Sequence, residues 1–68
     1  MKSLKDIQFN KIYVGMPVTR HRLNGKVVYT KEKRKQVVID WDGDESWLSC
    51  LMHDMLEEIY PDESRMNQ

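Results

Sequence analysis

The chain has a single cysteine, Cys50, so it can close no internal disulfide, and no zinc-ligand spacing accompanies it. No apolar run approaches membrane-spanning length, and the N-terminus carries no apolar segment of the signal-peptide kind. A reducing, cytoplasmic setting is the resulting expectation. Glycine and proline are scarce, at three and two residues, so each marks a place where the backbone turns or pairing stops. Neither sign of charge is in excess. Eleven basic residues balance eleven acidic ones, which argues against a strongly basic nucleic-acid binder.

The 68 residues suffice for one small domain, which buries only about 60% of the surface its unfolded chain exposes. Apolar residues make up 40%, enough for one core, and this argues against disorder in the middle of the chain. The balanced charge hides an asymmetry. Residues 1–36 hold ten Lys and Arg against Asp6 and Glu32, a net of +8, while residues 37–68 hold nine acids against Arg65, a net of −8. Two arrangements are open: the halves interleave and neutralise each other, or they form a basic and an acidic face.

The most informative stretch runs from Gly25 to Asp44. Val27 and Tyr29 alternate on one arm, Val37, Ile39 and Trp41 on the other, and Lys31-Glu32-Lys33-Arg34-Lys35 forms the tip between them. This pattern predicts a β-hairpin, and Asp42-Gly43 predicts the next reversal. Upstream, residues 1–12 read as a lead-in, with Ser3 and Asp6 bracketing one short helical turn. A first strand is expected over 14–20, with Pro17 at an edge or bulge, and Leu23-Asn24-Gly25 supplies turn chemistry. Ser46 to Leu51 reads as a fourth strand with Leu48 and Cys50 facing the core. Residues 52–55 read as a 3₁₀ turn and 56–59 as the closing strand, with one continuous helix over 50–59 as the competing reading. Residues 13–60 then form the folded unit and 61–68 a disordered tail. The expected core is Val18, Val27, Val37, Ile39, Trp41, Leu48 and Leu56.

The strings Val14-Gly15-Met16-x-Val18, Gly25-Lys26-Val27-Val28, Val37-Val38-Ile39-Asp40-Trp41-Asp42-Gly43 and Leu56-Glu57-Glu58-Ile59 resemble the small SH3-like barrels, the Tudor and KOW-type domains among them. The resemblance implies a mainly β, five-stranded small barrel with a short N-terminal helical turn and a 3₁₀ turn before the last strand. It specifies a fold much better than a function. A shorter string, Gly15-x-x-Val18-x-Arg20-His21-Arg22-Leu23 with Gly25-x-Val27, is similar to the start of the HspQ-type domain, a family associated with hemimethylated DNA and proteolysis control.

Catalytic chemistry is thinly represented. Cys50, His53 and Asp54 would make a nucleophile, base and orienter only if folding brought them together, and Cys50 reads better as a core residue. Asp40, Asp42, Asp44 and Glu45 lack the downstream ligand of a calcium loop and read as a solvated turn. No cofactor and no metal site is expected. Two binding surfaces remain. Trp47, flanked by Tyr13 and Tyr60, would anchor a protein partner, with Asp42, Asp44 and Glu45 steering a basic one. A competing placement packs Trp47 against Phe9 under the N-terminal segment. Alternatively, Arg20, Arg22, Lys31, Lys33, Arg34 and Lys35, together with His21, would bind nucleic acid beside Tyr29. The expectation is a non-catalytic adaptor or regulator acting through a protein partner. A homodimer through an exposed strand edge is also open, and no membrane partner is expected.

Overall fold

The charged tip and its β-branched arms fold as the sequence predicts. In the computed structural model, which describes residues 2–42 and 47–66, strand β2 (Leu23–Lys31) turns through a 3₁₀ turn (Glu32–Arg34) into β3 (Gln36–Trp41). Lys35 closes the turn in the left-handed conformation, at φ 52. Strands β1 (Pro17–Arg20), β4 (Trp47–Met52) and β5 (Tyr60–Pro61) complete one open antiparallel sheet in the order β4-β3-β2-β1-β5. The 3₁₀ turn before the last strand is present at His53–Met55, and a short N-terminal turn at Leu4–Asp6. In that turn the Asp6 carboxylate accepts the Ser3 backbone N–H and hydroxyl, both at 3.4 Å.

The sheet's inner face presents Val18, Val27, Val37, Ile39 and Trp41, all essentially inaccessible. Leu4, Ile12 and Met16 from the N-terminal segment join them in one core with Leu56 and Ile59 from the turn before β5. These two segments are tied together through the backbone: Leu4 N–H donates to Ile59 O at 2.8 Å and Lys5 N–H to Leu56 O at 3.4 Å. Trp41 is locked by its indole N–H, which donates to the Ser49 hydroxyl at 3.0 Å.

Several expectations are corrected. The first strand begins at Pro17 rather than at residue 14, because Gly15, at φ 97, turns the chain so that its N–H reaches Val27 O. The β1–β2 reversal falls at His21-Arg22, with His21 at φ 54, and not at Leu23-Asn24-Gly25. Gly25 instead lies inside β2, where the Trp41 ring occupies the space a side chain would need. A register shift at Val28 turns Tyr29 outward, 55% exposed, although its spacing from Val27 suggests a shared face.

On β4 the assignment of faces is reversed. Ser49 and Leu51 are half-buried while Leu48, 65% exposed, and Cys50 point away from the core. The polar Ser49 faces inward because it satisfies Trp41. Leu56 is buried as expected and Ile59 joins it, but both from a turn, and the closing strand is Tyr60–Pro61. Within the segment expected as a disordered tail, the described part forms a 3₁₀ turn at Glu63–Arg65. There the Arg65 guanidinium donates to Val18 O at 2.9 Å, Gly25 O at 3.2 Å and the Asp62 carboxylate at 2.6 Å. The Ser64 hydroxyl, and after it Arg65, hold the Asp62 carboxyl below the usual carboxylate range.

Candidate functional site

Trp47 opens β4 directly opposite Trp41, which closes β3, so the two indoles share the inner face. Their ring centroids lie 5.9 Å apart at 35°. Trp41 has β2 on its other side, whereas Trp47 stands on the last strand of the sheet and remains 46% exposed. Its exposure therefore comes from its place at the edge, not from the outward face the sequence suggests. Phe9 packs elsewhere, edge-on to His53 at 5.8 Å and beneath the Lys35 ammonium at 5.1 Å.

Beside Trp47 the β1–β2 reversal completes an open groove of about 410 Å³, lined by Arg20, His21, Arg22, Leu23 and Trp47. Arg20 also reaches Glu58, its guanidinium 3.1 Å from the carboxylate, in a solvent-exposed pair worth at most about 1 kcal/mol. A second hollow lies on the far side of His21, lined by Thr19, His21, Glu58 and Tyr60. Tyr60 is held there by the pairing of β5 with Thr19 on β1. His21, raised at the tip of the reversal in the left-handed conformation, thus stands between the two hollows. That conformation is sparsely populated for a residue other than glycine.

Two sequence-based groupings are rearranged. Tyr13, half exposed, is not among the residues lining either hollow; it sits in the turn before β1. Asp42 is exposed and does not line the groove, and Asp44 and Glu45 lie outside the described residues. The basic set also divides. Arg20 and Arg22 stand at one end of β2, whereas Lys31, Lys33, Arg34 and Lys35 stand at the other. The nine residues of β2 separate the two groups by on the order of 26 Å. The expectation that Arg20–Arg22 lie close to the tip is therefore wrong, because the strand between them is long and extended. Sequence reading placed His21 beside the wrong partners and took Leu23 for a turn residue. The two-residue separation of Arg20 from Leu23 is the signal that could have found the tight reversal.

At the tip, Lys33, Arg34 and Lys35 share a hollow with Met52, His53 and Asp54. His53 Nε2 approaches Leu4 O at 3.0 Å and Ile7 O at 2.7 Å, so Nε2 carries the proton and donates to the N-terminal segment. Nε2 is committed there, while Cys50 projects from the outer face of β4. Removing this donor leaves two backbone oxygens without it. His53→Ala is expected to lower stability by about 1–3 kcal/mol, read as an earlier thermal midpoint; an unchanged midpoint would show that the contact contributes nothing.

Among the described residues no three His, Cys, Asp or Glu side chains come together as a metal site, and no helix is long and apolar enough to cross a membrane. Neither the family models, nor the curated proteins, nor the solved structures contain a match to this chain.

Proposed function

We propose that this chain is a small non-catalytic binding module of SH3-like, Tudor- or KOW-related architecture, serving as an adaptor or regulator through a protein partner. The strand order, with β5 returning to β1 after a 3₁₀ turn, supports the barrel reading. One observation carries the functional reading: a half-exposed tryptophan, backed by a buried one, lines an open groove with Leu23 and the Arg20-His21-Arg22 reversal. A rigid, partly desolvated indole is the kind of anchor on which interface energy concentrates. The cations beside it favour an acidic segment of the partner over the basic one that Asp42, Asp44 and Glu45 suggest from sequence. Tyr60, across His21, extends the surface.

A second reading, nucleic-acid binding, draws on the same groove, since arginines beside an exposed aromatic can hold phosphate and stack a base. It ranks second for two reasons. The chain is neutral overall, and Arg20 is already paired with Glu58, which leaves few cations for phosphate neutralisation at this end. An acidic peptide bearing one aromatic residue, titrated against the protein, is expected to shift the amide signals of residues 20–23 and 47. Trp47→Ala should weaken that binding by roughly 30-fold, the effect of losing about 2 kcal/mol, with little change in melting. Undiminished affinity in Trp47→Ala would sink the proposal. Binding of a mixed-sequence oligonucleotide in preference to the peptide, with strong salt dependence, would put the second reading in its place.

A further inference from the structure

The two edges of the sheet are unlike. On one side β5 is two residues long and contains Pro61, which has no N–H to offer a neighbour. On the other, β4 runs six residues, Trp-Leu-Ser-Cys-Leu-Met, with no charge, proline or glycine. Its own sequence therefore carries neither the charge nor the proline that ordinarily keeps an edge strand from pairing. Its outer side chains are apolar as well, with Leu48 65% and Met52 45% exposed.

The ladder shows which backbone groups are free. In an antiparallel pair, residues turn alternately toward and away from the neighbouring strand. His53 N–H donates to Lys35 O at 2.7 Å in register with β3, so residues 51, 49 and 47 turn their polar groups to β3 in the same way. Asp42 N–H donating to Asn24 O fixes the same alternation from the other end, since it turns Trp41 toward Trp47. Leu48, Cys50 and Met52 therefore direct their N–H and C=O groups off the edge of the sheet.

We infer that a second copy of this chain pairs along β4, antiparallel about a twofold axis through Cys50. In this register Cys50 faces Cys50 of the other copy, and Leu48 faces Met52 on either side, each pair exchanging two hydrogen bonds. Shifting the strands by two residues in either direction loses one of these pairs within β4, so the centred register is the one that uses every free group.

Sedimentation equilibrium from micromolar to millimolar protein tests the inference, with melting curves to confirm that each variant folds. The native chain is expected to dimerise within this range. Leu48→Lys and Met52→Lys, which replace exposed side chains, should each weaken the dimer by roughly tenfold or more without lowering the melting midpoint. Diamide, which accepts the two thiol hydrogens, should join two chains through Cys50, because facing Cα atoms about 5.5 Å apart lie within disulfide range. A chain that remains monomeric at millimolar concentration overturns the proposal. So does a dimer that neither lysine variant weakens, or one that diamide leaves uncrosslinked. Peptide binding at Trp47 should survive in Leu48→Lys, which separates failure of the edge from failure of the groove.

Discussion

Trp41→Ala is expected to leave the chain without a cooperative thermal transition. The side chain is 1% exposed and sits where β2, β3 and β4 meet. Truncating a buried tryptophan costs about 3–5 kcal/mol. A domain of this length has a total stability of roughly 3–10 kcal/mol, at about 0.05–0.15 kcal/mol per residue. The variant also strips the Ser49 hydroxyl of its indole donor and removes the wall against which Trp47 stands. Trp47→Ala is the internal comparison: the same deletion at a half-exposed site should leave melting nearly intact. Circular dichroism on the pair decides the matter, and a cooperative Trp41→Ala melt near the native midpoint would refute the central role given to this residue.

The second large effect comes from adding atoms. A Cβ on Gly25 would lie 2.7 Å from a carbon of the Trp41 ring, 2.9 Å from Asp40 O and 3.2 Å from an Ile39 methyl. The glycine's backbone conformation is one any residue can adopt, so alanine would ordinarily favour the folded state by restricting the unfolded chain. Here contact decides the sign. The Asp40 carbonyl belongs to the β3 backbone, and the ring is held by Ser49, so neither yields easily. Gly25→Ala should destabilise by about 1–3 kcal/mol, and Gly25→Val by more. Chemical denaturation of the two variants measures this, and a Gly25→Ala midpoint at or above the native one would show that the ring can move aside.

How much of this was legible in the sequence depended on whether local pattern and tertiary demand agreed. They agree in β3, where Val37, Ile39 and Trp41 alternate inward, and at the charged tip. They disagree in β4. Leu48 and Cys50 look like core residues, but the inward position between them belongs to Ser49, whose value lies in a hydrogen bond to a distant indole. No pattern within the strand reveals that partner. Tyr29 misleads for a related reason, since the bulge at Val28 inverts a face that strict alternation would preserve. The groove was half visible. Trp47, Arg20 and Arg22 were singled out, but for two separate surfaces, because only the β1–β2 reversal and the Trp41–Trp47 pairing bring them to one end. Arg65 could not be found at all, being a lone cation in a polar terminal stretch that the fold draws back onto Val18 and Gly25.

The bond between Leu4 and Ile59 ties together residues from nearly opposite ends of the chain, and this has a consequence for the order of events as the protein is made. The meander β2–β3–β4 consists of near neighbours in sequence and can form while later residues are still being added. The lid over its inner face cannot, because Leu4 waits for Ile59. A growing chain halted before Ile59 should therefore protect the amides of β3 from hydrogen exchange while those of residues 4–7 remain open, and early protection at residues 4–7 would reverse that order. Until synthesis passes Ile59, the part of the apolar face that Leu4, Leu56 and Ile59 cover stays open, and this is the interval in which the nascent chain is most exposed to wrong partners.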